Sequence, residues 1–143
     1  MNTKRLLILA AFLETVPEHK FSLEDWRESP ELSDDENYFS LSELNASLSN
    51  ESLMNHSCGT TGCAIGWACT IPEFIEDGFT WEDGYTRGNH GPLLPDSSSE
   101  ALFSGWCAVE YFFSIDKVTS EYLFGHTSYD HDKSGSKDVA NRI

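Results

Sequence analysis

A chain of 143 residues, 39% of them hydrophobic and 13% aromatic, can bury one core without covalent staples, which excludes a disordered polymer. Its 24 acidic residues against 9 basic ones leave a formal charge of −15. That balance excludes direct binding to nucleic acid or an anionic membrane, since phosphate contacts need cations, and it suits a basic partner or plain solubility.

From the N-terminus, Leu6 to Leu13 form an apolar run behind Lys4 and Arg5. The run is short for a signal peptide, and Glu14-Thr15-Val16-Pro17 offers no small-residue cleavage site. It reads instead as a first helix from Thr3 to Val16, ended by Pro17, with Leu6, Leu9, Ala10 and Leu13 on one face. No segment has the length needed to span a bilayer, so a cytoplasmic location is expected. Ser22 and Asp25 have the spacing of a capping box and predict a short helix anchored by Phe21 and Trp26. Residues 28–56 are the least core-like part. They hold the acidic run Asp34-Asp35-Glu36, and Leu41, Leu44 and Leu48 recur at the spacing of a weak helix.

The stretch Cys58 to Cys69 holds three of the four cysteines and lacks charge from Thr61 onward, which predicts a fully buried helix. Ser57, Thr60 or Thr61 supplies its N-cap, and Pro72 stops it at Ile71. Gly62 and Gly66, with Ala64 and Ala68 beside them, offer a small-residue face to a neighbouring helix. Each glycine costs a helix about 1 kcal/mol relative to alanine, which packing must offset.

Residues 73–96 are rich in glycine and turn formers, and alternation of Phe79, Trp81 and Tyr85 suggests a small β-hairpin. Ser97 to Ser99 cap a helix from Glu100 to Ser114, whose apolar face includes Leu102, Trp106, Val109, Phe112 and Phe113. Thr119 to Phe124 reads as a helical turn and Ser136 to Ile143 as a last helix. The expectation is one mainly α domain over residues 1–143, with loop or insert regions at 28–56 and 73–96. Cys63–Ile71 and Glu100–Ser114 pack at its centre, and Cys58, Gly59, Cys63, Gly66, Trp67 and Trp106 form the structural core.

Three kinds of chemistry are open to these residues. His56, Cys58, Cys63 and Cys69 are zinc-ligand types, but they lack two close pairs on loops, and Cys63 and Cys69 point to different sides of one helix. Cys58 stands near a helix N-terminus, where a thiolate is favoured, with His56, His90, His126 and His131 as available bases. Core or capping roles account for these cysteines more simply, with a Cys58–Cys63 disulfide as a minor option. Asp130-His131-Asp132-Lys133-Ser134-Gly135 matches the first half of a calcium loop, but position twelve is Asn141 instead of glutamate. No catalytic set, metal or cofactor is therefore expected. Carboxylates beside aromatics form the remaining pattern: Asp34, Asp35, Glu36 and Tyr38, then Trp81, Glu82, Asp83 and Tyr85.

Cys58-Gly59-Thr60-Thr61-Gly62-Cys63-Ala64-Ile65-Gly66-Trp67 resembles a signature of small uncharacterised bacterial and phage proteins. There, Cys-Gly-Thr is followed after two residues by Cys, after two more by Gly, and then by Trp or His. The likeness extends to Phe21–Trp26, Phe112–Ile115, Leu123-Phe124 and Asp138–Ile143. It brings no catalytic residue, and it implies a phage or prophage accessory protein, for which disabling a host protein is a common task. The expected function is an acidic interaction protein that binds and inhibits a basic host protein, one of defence or nucleic-acid handling, with nucleic-acid mimicry as one route. The eight acidic and aromatic residues above form its contact surface. The alternative is a small cysteine- or metal-dependent enzyme using Cys58 with a histidine.

Overall fold

A computed structural model describes residues 1–24, 26–28, 49–54, 61–82, 91–95, 102–130 and 133–143. Helix α1 (Thr3–Leu13) starts where the Asn2 side chain accepts a hydrogen bond from the Arg5 N–H (3.2 Å). It buries Leu6, Leu9 and Leu13. It stops three residues before the expected end, because the N–H groups of Thr15 and Val16 bond to the carbonyls of Phe12 and Leu13 in a tightened last turn. Val16 remains buried beyond that turn, and a 3-10 turn at Glu18–Lys20 follows.

The next segment departs from expectation. Instead of a capped helix at Ser22, the chain is extended: Phe21 bridges Gly62, and the Ser22 N–H donates to the Gly62 carbonyl (3.2 Å). Strand β1 (Arg27–Glu28) then pairs antiparallel with β2 (Thr61–Gly62), after the short helix α2 (Asn50–Met54). The central helix is correspondingly shorter than Cys63–Ile71. Cys63 is its extended N-cap, and α3 covers only Ala64–Ala68. Gly62 belongs to β2, and the backbone pressed against Gly66 is that of Trp26 in an extended segment, not that of a second helix.

Pro72 does not merely end α3. It opens α4 (Pro72–Glu76) from the first helical position, where its missing N–H is not needed. Gly78, at φ +89°, then turns the chain so that the Phe79 N–H reaches the Phe74 carbonyl (2.8 Å).

A three-stranded antiparallel sheet overturns the mainly α expectation: the described fold is mixed α and β. Strand β3 (Thr80–Glu82) pairs with β4 (Gly91–Pro95) in the register Trp81↔Pro92, and β4 pairs with β5 (Leu102–Ser104) in the register Leu94↔Phe103. Leu102 and Phe103, expected on a helix, lie on β5. Gly105, at φ +62°, begins α5 (Gly105–Phe113) in their place. Short apolar runs carry helix and strand periods equally well, and here the glycine decides.

Helix α5 packs on β4 and β5 and contributes Ala108, Val109, Phe112 and Phe113 to the core. Phe79 stacks on Phe112 with centroids 4.3 Å apart, and Phe74 meets Phe112 edge-on at 4.9 Å. Helix α6 (Lys117–Phe124) is capped by the Asp116 carboxylate, which accepts from the Thr119 N–H (2.8 Å). Helix α7 (Ser136–Arg142) packs on α1. No helix among the described residues is long and apolar enough to cross a membrane.

Candidate functional site

Arg27 is the organising side chain of the region where β1, α3 and β3 meet. It is only 6% exposed, so its guanidinium needs partners. Its Nε and Nη2 donate to the Gly66 carbonyl (3.2 and 2.8 Å), and Nη2 also donates to the Asn50 side-chain oxygen. The Gly66 carbonyl accepts these bonds because α3 is cut short. The Thr70 N–H, its normal helical partner, goes to Trp67 instead (2.9 Å). Asn50 completes the arrangement by donating from Nδ2 to the Cys69 carbonyl (3.1 Å). A cation thus lies at the carbonyl end of α3, where the peptide dipoles favour it.

The guanidinium also lies 4.0 Å from the centroid of the Trp81 ring. Beside it, Trp26 and Trp106 meet edge-to-face with centroids 5.5 Å apart. Gly91 of β4 lies under the Trp26 ring, where a Cβ would come within 3.1 Å of it. Arg27–Trp81 and Trp26–Trp106 are thus two contacts linked through the neighbouring residues Trp26 and Arg27, and together they bring three of the four tryptophans into one region, the tryptophan platform. The Trp81 indole N–H is buried there with no hydrogen-bond acceptor among the described residues.

Of the predicted contact residues, Trp81 and Glu82 lie on β3, with Trp81 in the platform. Asp34, Asp35, Glu36, Tyr38, Asp83 and Tyr85 lie outside the described residues, as do Cys58, Gly59, His56, His90 and His131. Residues 29–48 follow β1 and residues 83–90 follow β3 in the chain, and the Arg27–Trp81 contact joins those two strands. Cys63, Gly66 and Trp67 are buried, and the Trp67 indole donates to the Lys20 carbonyl (3.2 Å). Trp106, expected in the core, is 36% exposed, because a helix starting at Gly105 turns its second residue toward Trp26.

Burial pushes the Cys69 thiol up to about 12, against an opposing effect of Arg27, so Cys69 is a neutral thiol at physiological pH. A protonated thiol is a poor nucleophile. Among the described residues, no three histidine, cysteine or carboxylate side chains group closely enough to hold a metal. In the stretch that matches half of a calcium loop, the Asp130 carboxylate is engaged by Lys133 Nζ (2.9 Å) and its carbonyl by the Ser134 N–H (2.8 Å).

Sequence reasoning missed Arg27 and Asn50. Their partners lie 39 and 19 residues away, and no local pattern marks such a pairing. The one available signal was a basic residue beside Trp26 in an otherwise acidic stretch. Comparison of the chain with protein-family models, with curated proteins and with solved structures finds no match.

Proposed function

We propose that this chain is an acidic interaction protein of phage type, acting in the host cytoplasm, that binds and inhibits a basic nucleic-acid-handling protein. Its contact surface joins the tryptophan platform to the two acidic stretches, Asp34-Asp35-Glu36 and Glu82-Asp83. The observation that supports this reading is the Arg27–Trp81 contact, because it joins β1 and β3, the strands that precede the two stretches in the chain. Two acidic segments anchored together concentrate negative potential at one place, which steers a basic partner and makes binding salt-sensitive. The platform supplies large, rigid aromatic area of the type that dominates binding energy at protein interfaces.

The test is affinity capture from bacterial lysate at low and high salt, with two charge-reversal variants run beside the wild type. One carries Asp34→Lys, Asp35→Lys and Glu36→Lys, and the other Glu82→Lys and Asp83→Lys. The expected result is a stoichiometric basic partner that is lost at high salt and lost with each variant. A partner retained by both variants overturns the reading.

A further inference from the structure

A second surface, between β5 and α5, has the chemistry of an arginine receptor. Phe103 on β5 stacks on Tyr111 of α5 with centroids 4.3 Å apart and planes 19° from parallel. Cys107, Glu110 and Tyr111 follow one another at i, i+3 and i+4, so they share a face of α5. The helix ends in a left-handed residue, Ser114 (φ 52°), and the Ile115 N–H returns to the Glu110 carbonyl (3.0 Å). This folds Ile115 back beside the helix, at the side of an open groove of about 480 Å³ lined by Phe103, Cys107, Glu110, Tyr111, Ser114 and Ile115. That is the size of a small-ligand or side-chain site.

Among the described residues, Glu110 is the sole charged one in this lining. The carbonyls at the end of α5 are already engaged: those of Phe112 and Phe113 accept from Arg5 Nη1 (2.6 Å) and the Asn2 N–H (2.7 Å). The carboxylate therefore sets the charge of the groove, and its Oε1 accepts a long hydrogen bond from the Ser120 hydroxyl (3.4 Å). Lys117, close by in sequence, is directed to Glu121 instead (3.7 Å).

We infer that this groove binds an arginine side chain on a basic protein partner. The aliphatic stem covers Ile115 and Cys107, the planar guanidinium lies on the Tyr111 face, and the Glu110 carboxylate receives its N–H groups. Tyr111 is 62% exposed and so is open to stacking. Arginine fits better than lysine because it is flat, weakly hydrated and able to stack and hydrogen-bond at once. A second copy of this chain is a poor occupant, since two molecules each of charge −15 repel. The inference rests on the reading that the partner is basic, and it adds the specific residue type recognised.

The test is an amide-resolved NMR titration of the intact chain with acetyl-Gly-Arg-Gly-amide, using the citrulline tripeptide as the neutral isostere. The expected result is saturable shifts at Phe103, Cys107, Tyr111 and Ile115, with citrulline about fivefold weaker, as for the loss of one exposed ion pair. Glu110→Gln should erase that fivefold preference, while Glu121→Gln, a nearby acid outside the groove, should keep it. Tyr111→Ala should abolish binding, with the remaining amide spectrum reporting an intact fold. Equal binding of citrulline, no saturable shift, or an unaffected Glu110→Gln variant overturns the inference. A failed titration with a salt-sensitive basic partner still captured removes the groove alone. A successful titration with no captured partner removes the proposed function alone.

Discussion

The carbonyl oxygen of Trp26 lies so close to Gly66 that a Cβ at position 66 would sit 1.9 Å from it. Alanine in a helix normally gains about 1 kcal/mol over glycine, but this contact reverses the sign. A backbone oxygen cannot move aside as a side chain can, so Gly66→Ala must displace β1 and with it the Arg27 bonds. The variant should lose about 2–4 kcal/mol in urea denaturation, the range of strained core substitutions. A variant as stable as the wild type would mean that β1 does not pack there.

Arg27 should be irreplaceable by lysine. Its fork donates to two acceptors while its face covers Trp81, and an ammonium can do only part of this. Arg27→Met leaves the Gly66 carbonyl and the Asn50 oxygen without this donor in a buried setting. It should cost about 2–4 kcal/mol, with Arg27→Lys recovering less than half. Equal stability of the Arg27→Lys variant and the wild type in chemical denaturation would contradict this account.

The alkaline limb of stability should be set by Cys69 and Tyr129. Burial raises both, Cys69 from 9.0 to about 12 and Tyr129 from 10.0 to about 12, with the Tyr129 hydroxyl donating to the Leu123 carbonyl (2.5 Å). Their protons are held more tightly in the folded state, so the stabilisation is complete below pH 9. It declines as pH rises from about 9 toward 12. Tyr129→Phe and Cys69→Ala should each flatten that decline in unfolding curves taken from pH 8 upward. Asp116 acts in the opposite direction. The Thr119 N–H lowers it below 3.8, so its contribution is present above 3.8 and fades as pH falls further.

Thiol labelling should separate the described cysteines by position. Cys107 is exposed on α5, whereas Cys69 has no accessible surface and holds its proton. Peptide mapping after brief alkylation of the native chain should find Cys107 modified and Cys69 protected until denaturant is added. Early modification of Cys69 would contradict its burial.

Ser114→Gly should stabilise the chain by about 0.4–1 kcal/mol, since Ser114 holds a left-handed conformation at the end of α5. Thermal unfolding measures this directly. A loss of stability would mean that the Ser114 side chain does more than tolerate the turn.

The helices that begin at clear signals were legible in the sequence. Pro17 bounds the α1 region, Ser136 stands at the start of α7, and the Leu6, Leu9 and Leu13 stripe faces inward, whereas α6 begins two residues before the expected Thr119, at the Asp116 cap. The strands were legible only in part: the hairpin suggested within 73–96 falls where β3 and β4 pair, whereas β5 was read as helix, and β1 and β2 are two residues each and pair across a long stretch of chain. Gly66 illustrates the difficulty: a small residue announces close approach, but its type does not say whether a helix or an extended backbone arrives. Trp106 shows the same limit, since its exposure depends on where the helix starts, and a glycine at φ +62° decided that. For the candidate site, the acidic and aromatic composition was visible, while the arginine beneath it depended on contacts no periodicity encodes.

The edge-to-face pairing of Trp26 and Trp106, with planes at 78° and centroids 5.5 Å apart, has an optical consequence. Indole transitions held at that angle and distance couple, splitting into two circular-dichroism bands of opposite sign. The platform thus carries its own chromophore. A ligand that wedges apart or reorients these two rings rewrites the couplet, so a single unlabelled spectrum reports on the platform.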